Sequence, residues 1–179
     1  FLDLGGGLGI SYSNTDSPTP KDLIAIIEEE LSDRSEKIIL EPGRSISGNA
    51  AIMLTSVEYI KGKYLIVDAG MNDLIRPALY KAKHNILNTK KSDSVSEEWT
   101  IVGPICESSD VLAKDFKINA SEGDLLAVET VGAYGHVMSS NYNTRRKPPE
   151  ILVEGSNFKI IRQRETYKDL LRNEIELNA

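Results

Sequence analysis

A thiol beside a carboxylate is the most reactive pairing in this chain. Cys106, the sole cysteine, lies in the run Gly103-Pro104-Ile105-Cys106-Glu107-Ser108-Ser109-Asp110. The Gly-Pro start predicts a turn that exposes its side chains, and acidic neighbours favour the protonated thiol at neutral pH. Such a thiol is suited to donating a proton; the plainer alternative is a small buried hydrophobe, the common state of a lone free cysteine. A second group is Glu41-Pro42-Gly43-Arg44. A carboxylate ending a strand could meet a protonated ring nitrogen, and Arg44 could grip an anion with paired hydrogen bonds. A simple Glu–Arg ion pair at a turn accounts for it equally well. Arg76 and Tyr80 are spaced to share one face of a helical turn, an arrangement that receives a carboxylate. Against it stand a solvated Arg with a core Tyr, and Pro77, expected to bend or end the turn. Gly5-Gly6-Gly7-Leu8-Gly9 could turn backbone N–H groups onto a phosphate, although a ligand-free tight turn explains glycines alone better. In Gly132-Ala133-Tyr134-Gly135 the phenol has room to reach a ligand, or to pack at a β-turn. His84 and His136 have no partner at metal-ligand spacing and read as non-ligands.

The elements that must carry these groups fall into two kinds. Residues 1–4 read as a strand running into the glycine run, and Thr19-Pro20 opens a helix as N-cap and first helical residue. Leu23, Ile24, Ile26, Ile27 and Leu31 recur at helical spacing, with Glu28, Glu29 and Glu30 on the wet side. Ile38-Ile39-Leu40 is a short strand ending at Glu41, so the span is a βαβ unit with parallel pairing. After Ser45 the pattern turns β-rich. Residues 51–60 and 64–67 form a hairpin about Lys61-Gly62-Lys63. Further strands are expected over residues 99–102, 125–131, 151–154 and 157–162, with helical turns within 73–82 and over 166–172. The boundary falls near residues 45–50: an α/β segment over 1–47, then a mostly antiparallel β domain over 48–179.

The 179 residues suffice for one good core, or one domain and part of another. With 40% hydrophobic and 27% charged residues the composition is that of a soluble globular protein, and a net charge of -6 argues against nucleic acid. A single cysteine forms no internal disulfide, and no apolar run approaches the roughly 20 residues of a membrane span. There is no basic segment of a secretory signal at the start, so a cytoplasmic location is expected. The missing initiator Met and the buried-strand character of residues 1–4 predict that the chain begins inside a larger protein.

Taken in order, these runs resemble the diaminopimelate decarboxylases, pyridoxal-phosphate (PLP) enzymes of the alanine-racemase-like fold type. The matching runs are Asp3-Leu4-Gly5-Gly6-Gly7-Leu8-Gly9-Ile10, Glu41-Pro42-Gly43-Arg44-Ser45-Ile46, Met71-Asn72-Asp73-Leu74-Ile75-Arg76-Pro77-Ala78-Leu79-Tyr80, Gly103-Pro104-Ile105-Cys106-Glu107-Ser108 and Gly132-Ala133-Tyr134-Gly135. The resemblance implies the closing strands of a PLP-binding (β/α)8 barrel over 1–47, then a β domain of barrel or sandwich type whose last helix packs back on the barrel. It implies a homodimer with shared active sites. Gly5, Gly6 and Gly7 would hold the PLP phosphate, helped by Gly43 and Tyr134, and Glu41 would face the pyridine nitrogen. Arg44, Arg76 and Tyr80, with Tyr134 beside them, would bind the far carboxylate of meso-diaminopimelate. Glu107 would meet its far amino group, and Cys106 would supply the proton that replaces carbon dioxide, both reaching into the partner's site.

The chain departs from the family in having Ser109 before Asp110, where Gly is common. It also lacks the coenzyme-bearing lysine, which in the family lies upstream; Tyr80-Lys81-Ala82-Lys83 only imitates that motif. A complete barrel needs about 250 residues, so this chain alone is expected to be inactive. Alternatives are a relative acting on ornithine, arginine or carboxynorspermidine, a non-catalytic decarboxylase-like binding protein, and an isolated dimerisation module. Glu107 together with Arg76 favours diaminopimelate, because relatives acting on basic amino acids typically carry Asp after the Cys and lack the Arg76 motif.

Overall fold

Two short parallel strands open the chain in the computed structural model, which describes residues 1–12, 16–90 and 95–175. Strands β1 (Leu2–Asp3) and β2 (Ile38–Ile39) pair as Leu2↔Ile38 and Asp3↔Ile39, with helix α1 (Pro20–Glu30) in the crossover. Parallel neighbours need such a crossover, which is why the βαβ pattern was legible. The expected cap of α1 is present. Thr19 N donates to Asp22 Oδ2 at 2.8 Å, Asp22 N donates back to Thr19 Oγ1 at 3.3 Å, and Pro20 opens the first turn. The apolar stripe of α1 remains largely uncovered: Leu23, Ile27 and Leu31 are half-buried, and Ile24 and Ile26 are exposed.

After α2 (Arg44–Ser47) comes a six-stranded sheet. Its strands are β3 (Met53–Lys61), β4 (Tyr64–Val67), β5 (Ile86–Asn88), β6 (Glu97–Val102), β7 (Val111–Ile118) and β8 (Leu125–Val128), in the spatial order β5-β8-β3-β4-β6-β7. The short helix α3 (Arg76–Tyr80) leaves the end of β4. Long β3 serves two partners, pairing with β8 over its first half and with β4 over its second, with a register shift between Val57 and Tyr59. Gly62 takes the left-handed conformation (φ 58) that the β3–β4 hairpin requires. The pairing is mixed: β4 lies parallel to β6, whereas the remaining neighbours are antiparallel. Inward residues of these strands make the core, with Val57, Leu65, Val67, Ile101, Leu126 and Val128 almost without exposure. Trp99 closes one side and satisfies its Nε1–H on the carbonyl of Ile118 at 3.1 Å.

Strands β5 and β7 differ from the expectation. β5 is too short to show a period, while in β7 the polar pair Lys114-Asp115 breaks the alternation. Asp115 adopts φ 51, and three steps along β7 (Ala113 to Phe116) oppose two along β6 (Trp99 to Ile101), so the extra residue is a bulge. The strand expected over 125–131 ends at Val128. β9 (Glu150–Glu154) and β10 (Asn157–Arg162) form a separate two-stranded hairpin about Gly155, and α4 (Tyr167–Leu171) follows with Thr166 as its cap.

Candidate active site

The glycine run and the Glu41 loop are brought together by the parallel strands. Beyond β1 and β2 the ladder continues from Leu4 N to Ile39 O at 3.0 Å and from Glu41 N to Gly5 O at 2.8 Å. Both chains therefore leave the sheet side by side. Gly6 is pressed against this neighbour, since a Cβ there would lie 2.4 Å from the Glu41 carbonyl oxygen. Gly5 (φ 70) and Gly7 (φ 91) take left-handed conformations with open space around them, as a backbone cradle needs. Arg44 begins α2 just beyond Glu41 and Gly43. The ion pairs of the described residues do not join Glu41 to Arg44, so the simple turn pair does not account for them.

Two further glycines tie this corner to Tyr134. A Cβ on Gly48 would meet Ile10 Cδ1 at 2.1 Å, and one on Gly132 would lie 1.9 Å from the Ser47 carbonyl oxygen. The segments around residues 10, 48 and 132 thus pack with no room for side chains at the glycines. Tyr134 follows with φ 62 and stays partly exposed, a conformation that aims a bulky side chain out of the turn.

Arg76 is the centre of the second group. Pro77 does not end the turn; at the second position of α3 its missing N–H costs nothing. Arg76 is only 8% exposed, and its guanidinium carbon sits 5.3 Å from the Tyr12 ring centroid, 5.6 Å from Tyr80 and 5.3 Å from Tyr134. Arg76 and Tyr80 therefore share one face as their spacing predicts, and the fold brings the Tyr134 ring to the same guanidinium. Tyr12 was not singled out by its sequence, and the only signal available was its position just past the glycine run. The Arg76 Nε is buried without a hydrogen-bond partner, and no carboxylate among the described residues forms an ion pair with it. A desolvated cation without a counter-ion is a strong site for an anion.

The Cys106 turn is built differently. Gly103 N bonds the Asp110 carbonyl at 3.1 Å, and the Asp110 carboxylate accepts N–H from Ile105 at 2.7 Å and from Met71 at 2.6 Å. A Cβ on Gly103 would lie 2.4 Å from Asp110 Oδ2, so only glycine admits that carboxylate. Burial pushes the Asp110 pKa up, against the pull of these N–H groups. Asp110 thereby clamps the turn to the 69–73 segment, and the departure at Ser109 leaves this clamp intact. Cys106 and Glu107 are both exposed, which excludes the buried-hydrophobe reading of the thiol. Glu107 accepts a short hydrogen bond from the Tyr142 hydroxyl, which raises the Tyr142 pKa. The two residues face a cavity of about 360 Å³ lined also by Met71, Asn72, Ile75 and Ser140. Arg145 braces the same region through the Asp68 carbonyl at 2.6 Å. Neither Tyr142 nor Arg145 stood out in the sequence.

Comparison with known proteins matches this architecture. The C-terminal sheet domain of the pyridoxal-dependent decarboxylases corresponds to residues 11–132. The chain belongs to that family. Diaminopimelate decarboxylase of Pseudomonas aeruginosa is 49% identical over 177 residues, covering 97% of this chain and 43% of the relative. The crystal structure of diaminopimelate decarboxylase from Helicobacter pylori complexed with L-lysine superposes with a TM-score of 0.89 at 43% identity, over 96% of this chain and 44% of that one. Lysine/ornithine decarboxylase from Vibrio vulnificus complexed with cadaverine is more distant, at 0.70 and 27% identity over 82% of this chain and 42% of that one. The chain spans less than half the length of these decarboxylases. Among the described residues no helix is long and apolar enough to cross a membrane, and no cluster of His, Cys, Asp and Glu could hold a metal ion.

Proposed function

We propose that the complete protein decarboxylates meso-2,6-diaminopimelate to L-lysine and carbon dioxide, with PLP as cofactor, in cytoplasmic lysine biosynthesis. The observation that carries this reading is Arg76, a buried cation walled by tyrosines and without an ion pair among the described residues, on a chain 49% identical to the diaminopimelate decarboxylase of Pseudomonas aeruginosa. Loss of one carboxylate from diaminopimelate leaves the amino-acid end that becomes lysine. An enzyme for that step needs a permanent anion site at the end that does not react, and Arg76 with Tyr80 and Arg44 supplies it.

The residues present fit PLP. Gly5 and Gly7, with left-handed backbones facing open space, suit a phosphate, helped by Gly43 and Tyr134. Glu41, two residues beyond β2 and bonded through its N–H to the Gly5 carbonyl, suits a protonated pyridine nitrogen. PLP, when bound, supplies an electron sink for the electrons left as carbon dioxide departs. The chain's own residues do the rest. Arg76, Arg44 and Tyr80 orient the far carboxylate, Glu107 selects the far ammonium, and Cys106 Sγ delivers a proton to the carbon that lost its carboxylate. In this reading residues 1–47 are the closing strands of the (β/α)8 barrel and residues 48–179 the β domain.

Glu107 lines the cavity by Met71 and Ile75, and exposed Cys106 is not one of the residues around the Arg76 guanidinium, which supports a homodimer in which each copy lends this turn to its neighbour. Turnover of diaminopimelate, ornithine and arginine by the complete protein tests the substrate; equal or faster reaction of ornithine would remove the assignment. Mixing Cys106→Ala with Arg76→Gln protein tests the sharing, since only mixed dimers would contain an intact site. Activity no higher than either parent would exclude it.

A further inference from the structure

Arg76 is backed by Tyr12 and, behind it, His84, residues outside the groups assigned above to substrate and cofactor. Tyr12 is anchored where its carbonyl accepts the N–H of Asn85 at 3.0 Å. Its ring covers Arg76 at 5.3 Å and meets the His84 imidazole edge-on, with centroids 5.0 Å apart and planes at 82°. His84 is 3% exposed, and its Nδ1 lies 2.9 Å from the Glu129 carbonyl oxygen. That geometry makes Nδ1–H the donor and leaves Nε2 as an acceptor. Burial holds the His84 pKa below its ordinary value; the Glu129 carbonyl opposes this and the Arg76 charge adds to it. A neutral imidazole can back a tyrosine beside a guanidinium without repelling it. Asn85 ties the same segment down again by donating from Nδ2 to Glu129 Oε2 at 2.6 Å. The His84–Asn85 pair is therefore a rigid mount, and Tyr12 is the part of it that faces Arg76.

We propose that Tyr12 and His84 are positioning residues: the Tyr12 ring, held edge-on against His84, walls the Arg76 guanidinium into the orientation that receives the carboxylate of an amino-acid ligand. A long, flexible Arg side chain without such walls would sample many rotamers, and its binding would carry the cost of ordering it each time. The three ring faces remove that freedom in advance. The role assigned to Tyr12 lies in its ring, not its hydroxyl. The inference rests on the reading of Arg76 as the carboxylate anchor.

The test uses the complete PLP-loaded protein with Tyr12→Leu, Tyr12→Phe and His84→Leu. Two quantities are measured: affinity for L-lysine, which carries the carboxylate, against cadaverine, which lacks it; and the rate at which phenylglyoxal modifies Arg76, followed by peptide mapping. Tyr12→Leu should weaken L-lysine about tenfold, leave cadaverine within about twofold, and speed modification of Arg76. Tyr12→Phe, which keeps the ring, should rescue most of both changes. His84→Leu should shift both in the same direction by less, and it carries the test if Tyr12→Leu does not fold. Equal losses for lysine and cadaverine, an unchanged modification rate, or failure of Tyr12→Phe to rescue would each overturn the proposal. If the unmodified protein itself fails to prefer L-lysine over cadaverine, the anchor reading falls, while the modification rates still decide whether Tyr12 orders Arg76.

Discussion

The central sheet and the two flanking pieces of this chain obey different rules. In β3, β4, β6 and β8 the inward side chains are almost fully enclosed, and the strands satisfy one another along a continuous ladder. In the β1–α1–β2 unit and the β9–β10 hairpin the local structure is just as regular, yet among the described residues neither contains a buried one. Ile151, Val153, Phe158 and Ile160 of the hairpin are all exposed. Local order and burial are thus separable here. Capping boxes, turn glycines and backbone pairing shape the flanks, whereas the sheet gains far more from removing apolar area from water. The candidate site lies where the two meet: Tyr12 and the glycine run come from the flank, Arg76 and Tyr134 from the loops of the sheet.

Four experiments sharpen or break this contrast. The largest effect belongs to the junction. Arg76→Gln in the complete protein should lower kcat/KM for diaminopimelate by about 100-fold or more, as expected when a buried charge loses its partner. A loss under about threefold, measured by steady-state kinetics, would mean that the cage holds no substrate. Next comes the core. Leu65→Ala, at a position with 0% exposure, should destabilise the chain by about 2–5 kcal/mol in urea unfolding. Val153→Ala in the hairpin, at 65% exposure, should change it by less than about 0.5 kcal/mol. Similar values for the two would end the distinction between sheet and flank.

Gly132→Ala probes the seam itself. A Cβ 1.9 Å from the Ser47 carbonyl must push α2 from the Tyr134 turn, costing about 1–3 kcal/mol. Unchanged stability together with unchanged PLP affinity would show that the seam tolerates separation. The smallest effect is electrostatic and belongs to the sheet. Hydrogen bonds from Lys90, the Ser121 N–H and Asn88 lower the Asp124 pKa to about 2. A carboxylate depressed on folding stabilises above its unfolded pKa of about 3.9, and this contribution disappears as pH falls towards 2. Asp124→Asn should therefore flatten the urea midpoint between pH 4 and pH 2; a parallel profile in the variant would show that Asp124 contributes nothing there.

Legibility in the sequence followed the same division. Thr19-Pro20 and Thr166 announced helices because capping is local chemistry, and Gly62 and Gly155 announced hairpins because left-handed turns favour glycine. The loops that carry Glu41, Arg76, Cys106 and Tyr134 were found by residue type and order. Their partners were not. Tyr142 reaches Glu107 across 35 positions, and Arg145 reaches the Asp68 carbonyl across 77. No local pattern encodes such contacts. β7 stayed hidden because its bulge at Asp115 breaks the alternation that marks a strand.

By itself, then, the chain of residues determined which groups are available for chemistry and which short elements present them, because caps, turns and periodicity act over a few neighbours. The tertiary structure alone decided that Arg76 is desolvated among Tyr12, Tyr80 and Tyr134, and that Glu107 is held by Tyr142. Burial of a charge depends on what distant segments fold over it, and that is set by sheet order and close glycine packing rather than by sequence spacing.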